Sequence, residues 1–211
     1  MAALIIGSGS DLSRDCIENI HIEYVICADG GLEKVPGLNL KPDLILGDFD
    51  SVNSSMLNGY RDSGTEIYAF PPEKDFTDME LAVETAVERG FKDIVLTGAT
   101  GTRLDHTIAN MQLLEKYHKQ GISIEIIDNN NHIGIISGNT DIKIKKKRDH
   151  FVSLVPVTET LEGLTLRGFR YPLNNVTVER GTTLLISNEI TEEEGRIILT
   201  KGTALTFISK D

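Results

Sequence analysis

The stretch Leu44-Ile45-Leu46-Gly47-Asp48-Phe49-Asp50-Ser51 decides how this chain is read. Three consecutive apolar residues with no polar alternation predict a strand covered on both faces, as in a parallel sheet. The chain then turns at once into two carboxylates one residue apart. In open parallel α/β sheets that edge, the carboxyl ends of the strands, is where ligands bind. Adjacent carboxylates repel, so they are seldom left together without a cation or hydrogen-bond donors. Oxygen-only ligation of this kind suits a hard divalent ion such as Mg²⁺. A polar turn in which Asp48 or Asp50 caps the next helix is the other reading, and the motif alone leaves both open.

The same strand-then-turn unit recurs on either side. Ala2–Ile6 is apolar, and Gly7-Ser8-Gly9-Ser10 leads from it into a short polar helix predicted around Leu12–Asn19. Tyr24–Ala28 runs into Asp29-Gly30-Gly31, Glu66–Ala69 is a weaker run, and Asp93–Leu96 is followed by Thr97-Gly98-Ala99-Thr100-Gly101; Ser123–Ile127 closes the series. Two helices are well signalled. Thr77-Asp78-Met79-Glu80 fits a capping box, with Leu81, Ala82, Ala86 and Val87 at helical spacing up to a stop at Arg89-Gly90. The second is predicted from about Arg103 to His118, with Leu104, Ile108, Met111 and Glu115 on one stripe.

Past Asn129-Asn130-Asn131 no helical periodicity follows. Short β-rich segments take over at Ile133–Ile136, Asp141–Lys145, Phe151–Val157, Leu164–Leu166, Thr183–Ser187, Arg196–Leu199 and Ala204–Ile208. Their regular turns predict a small β-sandwich or barrel. The expected organisation is therefore an α/β, Rossmann-like parallel-sheet domain over residues 1–130, then an all-β domain over 131–211.

Composition narrows the classes of function. The 211 residues are 40% hydrophobic and 25% charged, an ordinary globular mixture. No apolar stretch approaches membrane-spanning length, and Met1-Ala2-Ala3 enters Leu4-Ile5-Ile6 without a basic signal-peptide start, so a cytoplasmic protein with no membrane partner is expected. Cys16 and Cys27 have neither metal nor redox spacing. The net charge of −11 is uneven: residues 1–128 carry 10 Lys/Arg against 22 Asp/Glu, the remainder 11 against 10. An acidic half argues against nucleic acid as a partner. It would also repel a polyphosphate unless metal ions reverse the local sign. The basic run Lys143–Arg148 reads as an edge strand guarded by lysines.

Four segments follow predicted strand ends: Asp29-Gly30-Gly31, Gly47–Ser51, Lys74–Asp78 and Gly98–His106. On one rim they make a cleft of carboxylates, a few cations and glycines, which suits a magnesium-bound polyphosphate. Each part alone has a plainer role. Gly30 and Gly31 serve a tight turn or a close approach to a nucleotide. Asp78 in a helix first turn favours the dipole without any metal. Lys74 is either solvated or bridges phosphates. Gly98-x-x-Gly101-x-Arg103 is not a Walker A sequence, since no Lys-Ser/Thr follows at the required spacing. Arg103 offers a planar fork for phosphate oxygens, and Asp105 either orients it or accepts a proton. His106 and Asn110 share a helix face, and a packing role for His106 stands beside a functional one.

Taken in order, Asp29-Gly30-Gly31, Pro42-Asp43 leading to Gly47-Asp48-Phe49-Asp50-Ser51, Lys74-Asp75-Phe76-Thr77-Asp78, and Gly98-Ala99-Thr100-Gly101-Thr102-Arg103-Leu104-Asp105-His106 with Ala109-Asn110 resemble the thiamine pyrophosphokinase family. In the second half Gly168–Leu173 and Ile186-Ser187-Asn188-Glu189 resemble that family's vitamin-binding domain, so the likeness covers nearly the whole chain. The resemblance implies transfer of the terminal pyrophosphoryl group of ATP to the hydroxyethyl oxygen of thiamine, with release of AMP. It implies a homodimer whose sites combine the α/β domain of one subunit with the β-domain of the other.

By position it makes Asp48, Asp50 and Asp78 the Mg²⁺ ligands. Lys74 and Arg103 become the phosphate-contacting cations. On chemical grounds a carboxylate near the alcohol, Asp75 or Asp105, is the candidate proton acceptor. Asp29, Gly30, Gly31, Thr97, Gly98, Gly101 and His106 fall near ATP, and Asp48, Asn110, Ser187 and Asn188 near thiamine. The chain departs from members that stack the vitamin's pyrimidine on a Trp, for it has none. Two other readings are a Mg²⁺-dependent nucleotide phosphohydrolase, told apart by its products, and a non-catalytic thiamine- or nucleotide-binding module.

Overall fold

The structure is a computed structural model that describes residues 1–50, 53–71 and 75–211. Ser51 and Lys74, both named in the sequence reading, lie outside the described residues. The chain divides into two compact units, Met1–Asn129 and Asn130–Asp211.

The first unit is a parallel sheet with helices. Its elements are β1 (Ala2–Ile6), β2 (Ile22–Ala28), α1 (Val35–Leu38), β3 (Leu44–Gly47), α2 (Ser54–Asp62), β4 (Glu66–Ala69), α3 (Asp78–Glu88), β5 (Asp93–Thr97), α4 (Leu104–His118) and β6 (Ser123–Ile127). The strands lie in the order β4-β3-β2-β1-β5-β6, every pair parallel. All five residues of β1 and all four of β3 are buried, as continuous apolar runs require of a sheet covered on both sides. Leu44, Ile45 and Leu46 are fully buried, and each such side chain contributes about 1.5–3 kcal/mol relative to exposure. The chain winds from β1 outward to β4 and then returns to place β5 on the other side of β1. The loops after β1 and β5 therefore diverge, and a crevice opens between them at the carboxyl ends of the strands.

Local chemistry explains the helices. Thr77 caps α3, its side chain accepting from the Glu80 N–H at 3.2 Å. The buried face of α3 is Met79, Ala82, Val83 and Ala86, with Leu81 and Val87 only half-buried beside it. Asn53 caps α2 by accepting from the Ser55 and Met56 N–H groups. The predicted helix over Leu12–Asn19 is reduced to a single 3₁₀ turn at Arg14–Cys16, whose preceding Ser13 makes no side-chain cap. Helix α4 spans the residues expected but turns a different face inward: Asn110, Leu113, Leu114 and Tyr117 are buried. Leu104 and Ile108 of the predicted stripe are 68% and 56% exposed.

The second unit is antiparallel throughout. Its strands are β7 (Asn131–Ser137), β8 (Thr140–Lys145), β9 (Phe151–Pro156), β10 (Thr160–Arg167), β11 (Leu173–Glu179), β12 (Glu194–Leu199) and β13 (Thr203–Ser209). Strand β13 pairs with β7 and β9, and a separate four-stranded sheet runs β11-β10-β12-β8. Alternate residues from both sheets, among them Leu154, Leu161, Leu164, Ile197 and Leu199, form one core. Two details differ from the sequence reading. Thr183–Ser187 is a turn rather than a strand, closed by the Ile186 N–H on the Thr183 carbonyl and anchored by buried Leu185. Strand β11 was not foreseen: Asn174-Asn175 reads as a turn, yet Asn175 sits at φ +51° inside the strand and donates its N–H to Thr165 Oγ1.

Candidate active site

A cavity of about 520 Å³ opens at the crevice between β1 and β5. Its walls come from strand ends, as the sheet order requires. Gly7–Gly9 follows β1, Ala28-Asp29 closes β2 and enters the next turn, Asp48 follows β3, Phe76–Met79 leads into α3, and Gly98–Arg103 joins β5 to α4.

The floor is two glycine loops pressed backbone to backbone. The N–H groups of Gly7, Gly9 and Ser10 donate to the carbonyls of Thr97, Gly98 and Thr100 at 2.7, 2.8 and 2.6 Å. A Cβ on Gly9 would stand 1.9 Å from the Thr100 oxygen, and one on Gly98, at φ +61°, would stand 2.0 Å from the Gly7 oxygen. Only glycine permits this approach. Further braces hold the second loop. Asn110 Nδ2 donates to the Ala99 carbonyl at 2.7 Å, Thr100 Oγ1 to Asp128 at 2.7 Å, and the Gly101 N–H to Thr107 Oγ1 at 3.2 Å.

Carboxylates make the acidic wall. Asp29, Asp48 and Asp78 all line the cavity, whereas Asp50 is exposed and does not. Asp48 Oδ1 accepts the Asp50 N–H at 3.2 Å, so part of its role is to fold its own turn. Among the described residues no three His, Cys, Asp or Glu side chains stand close enough to share one ion. The donor set is nevertheless all carboxylate oxygen, which fits a hard cation.

Among the described residues Arg103 is the Lys or Arg that lines the cavity, and Asp105 grips it in a fork: Nε to Oδ1 at 3.2 Å and Nη2 to Oδ2 at 2.5 Å. The hydrogen-bonded guanidinium holds Asp105 below the usual carboxylate range, and the same contact pushes Arg103 up. A carboxylate so held is a poor proton acceptor, and its geometry is that of a group orienting Arg103. Asp75 is exposed and does not line the cavity.

The remaining residues singled out from sequence fall as follows. Gly98, Gly101, His106 and Asn110 line the cavity; Gly30, Gly31 and Thr97 do not. Gly31 is needed because a Cβ there would meet the Ile6 oxygen at 1.9 Å. Thr97 is buried and contributes its carbonyl to Gly7. In the second unit Asn188 is 6% exposed. Its Oδ1 accepts from the N–H groups of Tyr171 and Glu189, and its Nδ2 donates to the Tyr171 carbonyl at 2.9 Å. This amide fastens the Gly168–Leu173 loop. Ser187, at φ +57°, is exposed beside it. Gly7, Ser8, Gly9 and Asp128 were not singled out from sequence. The Gly-Ser-Gly-Ser run directly after an apolar strand was the signal for the first three.

An open parallel sheet with a glycine-floored, carboxylate-walled crevice at its switch point, followed by an antiparallel sandwich, defines a two-domain ligand-handling α/β protein. The thiamin pyrophosphokinase catalytic-domain model matches residues 18–126, and the model of its vitamin B1 binding domain matches residues 139–203. Thiamine pyrophosphokinase of Bacillus subtilis (strain 168) is 36% identical over 187 residues, 88% of this chain and 87% of that protein. A crystal structure of the Bacillus subtilis thiamine pyrophosphokinase superposes with a TM-score of 0.90 at 31% identity, covering 100% of both chains. That of the Geobacillus thermodenitrificans protein gives 0.86 at 33%, covering 100% of this chain and 98% of that one. The chain belongs to the thiamine pyrophosphokinase family, a family of enzymes.

Proposed function

We propose that this chain transfers the pyrophosphoryl group of ATP to thiamine, giving thiamine diphosphate and AMP. The observation that carries the reading is the cavity at the β1/β5 crevice, in a chain matched by both domain models of that family. In the step, the hydroxyethyl oxygen of thiamine forms a bond to the β-phosphorus of ATP. The bond from that phosphorus to the α-phosphate oxygen breaks and AMP leaves with that oxygen, while the alcohol's proton passes to a carboxylate, for which Asp75 is the remaining candidate, or to water.

The residues divide the work. The glycine loops bring backbone close to the nucleotide, and Arg103, held by Asp105, neutralises phosphate oxygens. Lys74 has the charge to do the same. Asp48 and Asp78, which line the cavity, would hold Mg²⁺, which when bound offsets the negative charge of the polyphosphate; Asp50, exposed on the same turn as Asp48, is the third ligand that the family resemblance implies. The acid wall suits a substrate with a fixed positive ring. In a chain without Trp, Phe76 supplies the aromatic surface: it lines the cavity and is 43% exposed. Ser187, exposed beside buried Asn188, supports the β-domain as the source of a thiamine contact. Leu104 and Ile108, apolar and exposed on the first two turns of α4, support a homodimer. The cytoplasm is the proposed compartment.

Purified protein with thiamine, ATP and Mg²⁺ should release AMP and thiamine diphosphate in equal amounts by chromatography, and EDTA should abolish both. Free phosphate without thiamine diphosphate would replace this reading with phosphohydrolysis. Saturable thiamine binding without any product would replace it with a binding module.

A further inference from the structure

The loop after β1 is held from behind as well as from the side. Three of its N–H groups, those of Gly7, Gly9 and Ser10, are taken by the end of β5 and the loop after it, as described above. Its carbonyls meet a cation: Lys34 Nζ donates to the oxygens of Gly9 and Ser10, the latter at 2.9 Å, and stands 3.3 Å from Asp11 Oδ1. An ammonium has three donors, and three oxygens receive them here. The Lys34 side chain is only 17% exposed, unlike a solvated surface lysine.

Its location gives the contact a purpose. Lys34 is the last residue of the 3₁₀ helix Asp29–Lys34, whose first residue, Asp29, lines the cavity. One short element therefore sets a cavity carboxylate at one end and a clamp on the cavity floor at the other. Carbonyl oxygens without donors beside a phosphate site would be free to swing and would repel the ligand. Engaged by an ammonium, they are fixed and their dipoles are compensated before any ligand arrives. Pre-ordering of this kind raises affinity by removing an ordering cost at the moment of binding.

We propose that Lys34 is a positioning residue for the nucleotide, locking the Gly7–Ser10 loop in its binding form from the side away from the cavity. The inference rests on the reading that this cavity takes ATP. Lys34→Gln keeps much of the side-chain volume but removes the charge, and losing charge-assisted bonds of this kind weakens binding by about tenfold. Calorimetry should show that loss for ATP, and steady-state kinetics a matching rise in its KM. The KM for thiamine and kcat should stay within about threefold, and Lys34→Arg should recover most of the affinity. Unchanged ATP affinity in Lys34→Gln, or equal rises in both KM values with a lowered melting temperature, would overturn the inference. Wild-type protein that binds no ATP would instead sink the reading of the site, and this inference with it. The unsubstituted protein offers a second test by hydrogen exchange. The amides of Gly9 and Ser10 should be protected without ligand, and protection that arises only on adding ATP would refute a pre-ordered loop.

Discussion

Replacing Gly98 by alanine separates the two demands this site makes on its backbone. At φ +61° an L-residue costs about 1–2 kcal/mol. Its Cβ would also lie 2.0 Å from the Gly7 oxygen, a backbone atom with no rotamer to move. Relief requires the β1 loop to withdraw by about 1 Å, given ordinary contact distances. That movement breaks or stretches the Gly7–Thr97 and Gly9–Gly98 hydrogen bonds, each worth about 1 kcal/mol net. The sum is about 3–4 kcal/mol, a large share of the 5–15 kcal/mol typical of a folded protein. Gly121→Ala is the control. It has φ +76° with nothing within 4 Å of the new Cβ, so only the backbone cost of about 1–2 kcal/mol applies. Denaturant unfolding followed by circular dichroism measures both variants. Thiamine diphosphate formation should fall by about a hundredfold in Gly98→Ala, because a misplacement of about 1 Å has that effect on a positioned reaction, and should barely change in Gly121→Ala. Equal losses of stability and activity in the two variants would refute the claim that close loop packing builds the site.

Phe76→Ala should raise the KM for thiamine by about fivefold, the worth of one aromatic stacking contact, and leave that for ATP within about twofold. A matching rise for ATP would mean general disturbance of the α3 entry. Ile108→Glu should shift the protein toward a monomer in sedimentation velocity at fixed concentration, and an unchanged dimer would remove that face of α4 from the interface. The pair of Asp141 with Arg196, at 2.7 and 2.6 Å, holds the carboxylate below its ordinary range. A lowered folded value means its contribution is full above the unfolded value of about 4 and is lost as pH falls through the folded one. Asp141→Asn should therefore lower the melting temperature slightly at pH 7, with the difference shrinking as the pH falls below about 4, and a difference that stays constant down to acid would show that the pair's charge is not its source.

The parallel sheet was legible because its strands are buried on both faces. Apolar runs as short as Ala2–Ile6 and Leu44–Leu46, each closed by glycine, are too short for a buried helix and read as strands by length and flanks. Helix α3 was legible from its cap, a local hydrogen bond that sequence spacing specifies. The face of α4 was not. Periodicity reports that Leu104 and Ile108 share a stripe, but which face meets the sheet depends on Leu113, Leu114 and Tyr117 farther along, where the burial is. Strand β11 was hidden for a related reason. Asn174-Asn175 has turn composition, and what keeps it in the sheet is the ladder with β10, from Thr160 opposite Glu179 to Leu166 opposite Leu173, with the Asn175 N–H on Thr165 Oγ1 bridging an irregular step in that ladder.

The site divides along the same line. Residues that carry charge at strand ends could be gathered from sequence because strand direction alone puts them on one rim, and Asp29, Asp48, Asp78 and Arg103 do share a cavity. The groups that shape that rim act across the fold. Gly7 is held by Thr97, Thr100 by Asp128, and Ser10 by Lys34, at separations of 24 residues or more. Nothing in a local pattern encodes those pairings, since each exists only once neighbouring strands lie side by side: β1 and β5 for the first, β5 and β6 for the second, β1 and β2 for the third. The acid wall makes this scaffolding matter more. In a unit with 22 Asp/Glu against 10 Lys/Arg over residues 1–128, long-range attraction cannot hold a polyphosphate. On the proposed reading, affinity has to come from short-range, pre-ordered contacts around a metal-bound ligand. A loop that is loosened without losing a single charge should then cost more nucleotide affinity than neutralising an exposed acid on the rim.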